Sequence, residues 1–158
     1  MDDGRAMAEG RRDRREALEV FAPYVMNRIM ARYNRRVEEA LRPEGISVPQ
    51  MRVLAALSDA GPLTVNELSV LTVIKQSTLS RTLDMMEGAG FLRREADQAD
   101  SRIRTIHLTA AGDALHRRAW PAMERAEEHL LSALGPAERE VFRAMLVCIL
   151  HATRHHAF

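Results

Sequence analysis

Apolar residues recur every three or four positions over most of this chain, and that spacing predicts a mostly α-helical protein. One stripe runs from Leu18 to Leu41 and another from Val141 to Ala152. Between them, a third long stripe consists of Leu115, Trp120, Met123, Leu130 and Leu131, in a helix predicted over about 110–134. Pro23 and Pro121 lie inside two of these patterns and predict kinks, or, for Pro23, a helix start near Ala22.

The middle of the chain has shorter patterns. Thr64 with Glu67 three residues later is the signature of a capping box and predicts the start of a short helix. A second helix is predicted from about Lys75 to Ala89, and it ends at a glycine-rich turn. Two strand-like runs, residues 91–94 and 102–108, flank a polar loop, and their alternation slips by one residue, as it does at a β-bulge.

Helix, turn, helix and hairpin in this order predict a winged helix-turn-helix. The expected fold class is therefore mostly α with a small β-hairpin wing. The long stripes at both chain ends would be exposed in a monomer, so we expect N- and C-terminal helices forming a dimerisation region. The predicted organisation is a disordered tail at 1–14, a helical dimerisation region at 15–45 and 110–158, and a winged helix-turn-helix DNA-binding domain at 46–109.

Composition narrows the class of protein but does not by itself indicate nucleic-acid binding. The 158 residues include 23 basic and 22 acidic side chains, so any affinity for DNA must come from their placement. No apolar run approaches the roughly 18 residues of a membrane span, and the N-terminus has no signal-peptide pattern. The single cysteine, Cys148, rules out an internal disulfide and is typical of the cytoplasm, where we expect the protein to act.

Candidate DNA contacts cluster at the start of the second short helix and in the wing. Polar side chains there can reach base edges and phosphates, and Arg81 can bind guanine through two hydrogen bonds. The residues concerned are Gln76, Ser77, Thr78, Ser80 and Arg81. Lys75 and Arg104 are interpreted as phosphate contacts, which position a protein on DNA without specifying sequence. Arg102 at the wing tip is placed in the minor groove, with Asp100 orienting it through a salt bridge.

Other chemistry has less support in the sequence. Cys148, His151 and His155 share one helical stripe, a spacing that zinc sites also use, but a buried cysteine near a solvated tail is the preferred interpretation. We find no phosphate loop, no paired carboxylates and no serine–histidine–aspartate order. We therefore expect neither an enzyme nor a bound metal or other cofactor.

Four segments together resemble the MarR family of bacterial transcription regulators. They are LRPEGISVPQMRVLAAL at 41–57, TVNELSVLT at 64–72, QSTLSRTLDMMEGAGFLRR at 76–94 and DSRIRTIHLTAAG at 100–112. The segment LSRTLDMMEGAGFLRR is especially similar to the SlyA branch. The resemblance implies a homodimer that binds a pseudo-palindromic operator and is released by a small molecule. It matches Ser77, Thr78, Ser80 and Arg81 to groove-facing positions, and Asp100 and Arg102 to the wing motif. Ser101 departs from the arginine that is frequent in family wings.

The resemblance also implies a ligand pocket beside the winged unit. That pocket maps to Met30, Tyr33, Asn34, Met51, Arg52 and Ala55. Tyr33 can donate a hydrogen bond and Arg52 can attract an anion, although methionines at two of these positions are equally consistent with core packing.

The function predicted from the sequence is a sequence-specific, homodimeric DNA-binding transcription regulator. Its expected partners are double-stranded DNA, a second copy of itself and a small aromatic or amphipathic effector, with no membrane. The alternative is a winged helix that acts only as a protein–protein adaptor.

Overall fold

The computed structural model describes residues 17–96 and 104–153. Its helices are α1 (Ala22–Leu41), a short 3-10 turn (Arg42–Glu44), α2 (Val48–Ala60), α3 (Val65–Thr72), α4 (Gln76–Gly88), α5 (Ala110–Leu130) and α6 (Pro136–Ala152). Its strands are β1 (Leu63–Thr64), β2 (Leu92–Ala96) and β3 (Arg104–Leu108). The predicted fold class, mostly helical with a winged helix-turn-helix, is confirmed. No described helix has the length and apolar character needed to cross a membrane.

The chain divides into two compact units, one ending at Arg36 and the other beginning at Val37. In the first unit, residues 17–20 are helical and Phe21 interrupts the helix before α1 begins at Ala22. This break two residues before Pro23 agrees with the predicted helix start, because proline is tolerated only in the first turn. Tyr24, Met26 and Met30 are exposed on this unit.

The second unit contains the core. Helix α2 packs against α3, α4, α5 and β3, which makes it the centre of the winged unit. The fully buried large side chains of the core come from several elements and include Leu41, Met51, Leu54, Leu68, Leu79, Leu83, Met86, Ile106 and Leu115. Each comes from one face of a helix or strand, so the three-to-four-residue spacing of the sequence becomes one shared apolar interior.

Side-chain caps fix the starts of the two helices that lead into α4. Ser47 and Gln50 form a capping box at α2, with a 2.8 Å bond from the Ser47 N–H to Oε1 of Gln50. Thr64 and Glu67 form the predicted capping box at α3, where the Thr64 N–H donates to Oε2 of Glu67 at 2.7 Å. Each box satisfies backbone donors that a helix start otherwise leaves unpaired.

The wing is part of a three-stranded antiparallel sheet in the order β1-β3-β2. Leu92 pairs with Leu108 and Ala96 with Arg104, while β1 adds Leu63 opposite Ile106. The sequence predicted only the β2–β3 hairpin, because a two-residue strand is too short to show an alternating pattern. The predicted slip in the alternation falls between Ile103 and Ile106, and Ile103 lies outside the described residues.

The start of α5 is fastened to the end of α4 and the start of the wing. Thr109 caps α5 by accepting from the Gly112 N–H at 3.1 Å, and its hydroxyl donates to the Gly90 carbonyl at 2.7 Å. Gly90 has a φ of 77°, a left-handed conformation that favours glycine. A Cβ added at Gly112 would lie 2.1 Å from the Phe91 carbonyl oxygen. The Leu-Thr-x-x-Gly segment (108–112) therefore forms a tightly packed joint between the start of α5 and the start of the wing.

Two expectations for the C-terminal helices need correction. Trp120 was predicted to line the buried stripe of α5, but it is 39% exposed and its indole N–H donates to Glu124 at 2.9 Å. The small side chains of Ala119, Ala122 and Ala126 are buried instead. Helix α5 also ends at Leu130, not near Leu134. Helix α6 follows and has no buried residue among those described.

Candidate nucleic-acid interface

Helix α4 separates its two faces sharply. Leu79, Leu83 and Met86 are buried against the rest of the winged unit. The polar residues predicted to contact DNA, together with Lys75 just before the helix, are all exposed: Lys75, Gln76, Ser77, Thr78, Ser80 and Arg81. The buried face holds the helix in place, and the exposed face presents a row of hydrogen-bonding groups. Recognition helices enter a major groove with this arrangement.

The first turn of α4 has two further features that suit an anionic partner. Lys75 occupies the N-cap position and makes no side-chain cap within the described part of the chain, unlike Ser47 and Thr64 at α2 and α3. Uncapped N–H groups at a helix start favour a phosphate oxygen. Gln76 donates to Oδ1 of Asn66 on α3 at 2.6 Å, which fixes one candidate base-reading side chain relative to the preceding helix.

An arginine of the wing partly offsets the charge of two acidic residues near the end of α4. The Arg94 guanidinium on β2 pairs with Asp84 at 2.7 Å and also with Glu87, and the Arg94 N–H donates to Oε1 of Glu87 at 3.1 Å. These contacts tie β2 to the last turns of α4. They also reduce the repulsion that two carboxylates beside a DNA backbone would cause.

The described part of the wing carries its own exposed cation. Arg104 is exposed at the start of β3, opposite Ala96. On the same hairpin, Arg93 pairs with Glu95 at 2.6 Å, so its charge is partly used within the protein. Asp100 and Arg102 lie outside the described residues, and their predicted roles at the wing tip remain predictions.

Comparisons with known proteins agree with this geometry. The MarR family model matches residues 44–103. The chain is 32% identical over 107 residues to the transcriptional regulator HosA of Escherichia coli O111:H-, covering 68% of this chain and 79% of HosA. It is 40% identical to a MarR-family transcriptional regulator from Silicibacter pomeroyi whose crystal structure superposes with a TM-score of 0.80, covering 89% of this chain and 95% of that one.

This chain belongs to the MarR family. MarR proteins are DNA-binding transcription regulators and not enzymes, so the exposed face of α4 belongs to a regulator of transcription. A further MarR-family relative, Rv2887 of Mycobacterium tuberculosis, has been crystallised in complex with p-aminosalicylic acid. The two are 28% identical with a TM-score of 0.69, and the match covers 80% of this chain and 96% of that one.

The residues predicted for the effector pocket of this MarR protein are divided between the two units, and the pocket stays a prediction. Met51 is completely buried. Arg52 and Ala55 line an open groove of about 580 Å³ between α2, the end of α3 and α5, here called the α2–α5 groove. Met30, Tyr33 and Asn34 belong to the N-terminal unit.

The α2–α5 groove also contains residues that the sequence analysis did not single out. Its α5 wall includes His116 and Trp120, whose rings lie 5.3 Å apart. Burial lowers the pKa of the His116 imidazole, Asp113 opposes that shift and Arg117 adds to it, so the ring is neutral at pH 7. Its buried Nε2 has no hydrogen-bond partner among the described residues. The sequence shows that His116 and Trp120 are four residues apart on one helix. It does not show that residues of α2 lie opposite them across a groove.

Two other contacts were not predicted from the sequence, because each joins residues on different elements. Asn66 pairs with Gln76 across ten residues, and Arg94 reaches both Asp84 and Glu87. Cys148 was expected to be buried, but it is exposed because no described residue of α6 is buried in the single chain. His151 is exposed as well, and His155 lies outside the described residues. Within the ranges described, no group of three or more histidine, cysteine, aspartate or glutamate side chains could hold a metal ion.

Proposed function

We propose that this MarR protein is a homodimer that binds a pseudo-palindromic operator through α4 and the wing, and that a small aromatic molecule releases it. The observation that carries the proposal is the exposed polar face of α4, from Gln76 to Arg81, on a helix whose other face is fully buried. Family membership makes DNA the partner, and this face has the donors and acceptors that reading base edges requires.

The exposed position of Arg81 makes it the sharpest test of DNA recognition. Arg81→Ala should weaken specific binding by about 1–3 kcal/mol, because an arginine that contacts guanine or a neighbouring phosphate is lost. Arg125→Ala, an exposed arginine on α5, serves as the control and should leave affinity unchanged. Binding is measured by fluorescence anisotropy at one salt concentration. An Arg81→Ala protein that is folded and binds as tightly as the parent would refute the assignment.

The wing is proposed to follow the phosphate backbone. Arg104→Ala should reduce the slope of log affinity against log salt by about 1, because each lost phosphate contact releases one fewer counterion. Arg102→Ala should have a similar effect. Titrations between about 50 and 200 mM salt measure the slope. A slope equal to that of the parent in both variants would mean that the wing does not contact the backbone.

Helix α6 supports the homodimer. Its apolar side chains are exposed along the helix, with Val141 54%, Met145 59% and Ile149 51% accessible. An exposed apolar helix face of this extent is unfavourable in water and marks an association surface. A two-fold dimer buries the same face of both copies and sets two α4 helices at a fixed distance. Half-sites about 10 bp apart would match that arrangement.

Release by a small aromatic molecule is supported by the p-aminosalicylic acid complex of Rv2887. A ligand that binds one spacing of the two recognition helices better than another shifts the dimer toward that spacing. Coupling of about 1–3 kcal/mol would change DNA affinity roughly 5- to 150-fold, and DNA would weaken ligand binding by the same factor. Calorimetry on the DNA-free and DNA-bound protein measures both. Equal ligand affinity in the two states would remove the effector from the proposal.

The finer assignments are also proposals. The segment from Leu79 to Arg94 supports the SlyA branch, although similar relatives include HosA and Rv2887. Rv2887 carries the name of a repressor, which favours repression here. The domain boundaries at 15–45, 46–109 and 110–158 stay predictions, as does a cytoplasmic location. The adaptor alternative predicts no electrophoretic shift with DNA from upstream of the protein's own gene.

A further inference from the structure

We propose that Asn66 determines base specificity by holding the side-chain amide of Gln76 in one orientation, and that Gln76 held in this way selects adenine in the major groove. Asn66 acts through Gln76, so it is a positioning residue. This inference rests on the proposed function and deepens it, because it names a base and the two side chains that select it. Both residues belong to the second unit, from Val37 onward.

The two amides meet where two helices begin. Asn66 is the second residue of α3, and Gln76 is the first residue of α4. Nε2 of Gln76 donates to Oδ1 of Asn66 at 2.6 Å, and both residues are exposed. Residues at the start of a recognition helix are those that contact base edges. The pair therefore lies on the surface that the proposed function turns toward DNA.

Asn66 is a firm anchor because the first turn of α3 is fixed around it. The capping box joins Thr64 and Glu67, the residues on either side of the Val65–Asn66 pair. Leu68, two residues after Asn66, is completely buried. The asparagine side chain is also short, so few rotamers are open to it. Its amide oxygen consequently has a defined position relative to the winged unit.

The backbone that leads into Gln76 is fixed as well. The Ser69 hydroxyl donates to the Ile74 carbonyl at 2.8 Å, and the Ile74 N–H donates to the Ser69 carbonyl at 3.3 Å. Ile74 is buried, and so is Leu79 in the first turns of α4. The freedom that remains at this point belongs to the Gln76 side chain, whose one hydrogen-bond partner in the described part of the chain is Asn66.

The contact with Asn66 lowers the entropy that Gln76 loses when DNA binds. Ordering a long exposed side chain at an interface weakens binding roughly 2- to 10-fold. In this protein the ordering already exists without DNA, because the 2.6 Å hydrogen bond restricts the Gln76 amide. A side chain that is ordered in advance also discriminates better between bases, since it cannot turn its amide over to suit a different one.

The direction of the hydrogen bond determines which base Gln76 can select. Asn66 uses one N–H of Gln76, so the other N–H and the Oε1 acceptor remain for DNA. Adenine offers the complementary pair in the major groove, an N6 donor beside an N7 acceptor. Guanine and thymine offer only acceptors at this edge, and cytosine offers only a donor. Adenine is therefore the base that satisfies both remaining groups.

The base preference is measured on an operator obtained by selection from random DNA. Duplexes that carry each of the possible base pairs at one position, changed in both half-sites, are titrated by fluorescence anisotropy. The parent should prefer adenine at that position about tenfold or more, as a bidentate contact does. Gln76→Ala should bind all the duplexes within about threefold of one another, because the contact is lost.

Asn66→Ala should lower the adenine preference to about threefold or less, because a free Gln76 amide can present either edge. Asn66→Asp provides the rescue, since it keeps an oxygen acceptor for Nε2 of Gln76. It should restore the preference to within about twofold of the parent, while its charge lowers the affinity for every duplex. In the Gln76→Ala background, Asn66→Ala should change the preference by no more than about twofold, because the two residues act as one unit.

Thermal unfolding checks that every variant is folded. A loss of affinity that is equal on all the duplexes in Asn66→Ala would mean that Asn66 acts on stability or on phosphate, and it would overturn the inference. The same holds if Gln76→Ala keeps the adenine preference, or if Asn66→Asp does not restore it. A parent that selects a palindrome without this adenine overturns the inference alone. A parent that selects no sequence removes the proposed function as well.

Discussion

Gly112→Ala is expected to destabilise the protein severely. The added Cβ would lie 2.1 Å from the Phe91 carbonyl oxygen and 2.9 Å from Cδ1 of Leu108. The Phe91 oxygen is a backbone atom, and its position is also fixed by a hydrogen bond, because the Thr109 N–H donates to it at 3.1 Å. The clash can therefore be relieved only by moving the start of α5 away from the wing.

The expected cost is about 3 kcal/mol or more, the upper end for overpacked sites, and it exceeds the roughly 1 kcal/mol that alanine gains over glycine inside a helix. For a chain of this size, 3 kcal/mol corresponds to a fall in Tm of about 6–12 °C. Gly88→Ala is the matched control, because Gly88 is also helical but has nothing within 4 Å of an added Cβ. Thermal unfolding of both variants gives the comparison. A Gly112→Ala protein as stable as the control would mean that the joint between α5 and the wing is not tightly packed.

Met145→Glu is expected to convert the dimer into monomers and abolish operator binding at nanomolar concentrations. Met145 is 59% exposed in the single chain and lies beside Val141 and Phe142, so in the monomer a glutamate there remains solvated. In a dimer that buries this face, the same carboxylate would lose its hydration without a partner, which costs several kcal/mol per ion. Phe142 is half-buried, and its replacement would confuse dissociation with unfolding.

Val147→Glu provides the control for this change. It introduces the same charge in the same helix, at a residue that is 51% exposed. Because Val147 is two positions after Met145, it lies on the opposite face of α6. Light scattering at micromolar concentration should give a monomer for Met145→Glu and a dimer for Val147→Glu and the parent. Circular dichroism checks that all three are folded. A parent protein that is itself monomeric would remove the dimer from the proposal.

The sequence predicted the elements whose signals are local. The Thr64–Glu67 capping box, the helix start at Ala22 and the helix α4 all depend on residues within four positions of one another, and the structure contains each of them. The hairpin pairing of β2 with β3 is similarly local in sequence.

Features that depend on packing between distant segments were not predictable in the same way. Trp120 has the spacing of a core residue, but the space on that side of α5 is filled by alanines and leaves the indole at the edge of a groove. Strand β1 is defined only by its partner β3. The contact of Arg52 with Thr72 spans twenty residues and has no sequence signature.

Selection of bound sequences from a random pool of double-stranded DNA tests the central claim most directly. The parent protein should enrich a near-palindrome whose half-sites are centred about 10 bp apart, because two α4 helices fixed in a dimer meet the major groove once per turn. Arg81→Ala should enrich the same spacing with relaxed preference at one position in each half-site. Enrichment of no sequence, or of a single half-site without a symmetric partner, would contradict the account of this protein as a dimeric reader of the major groove.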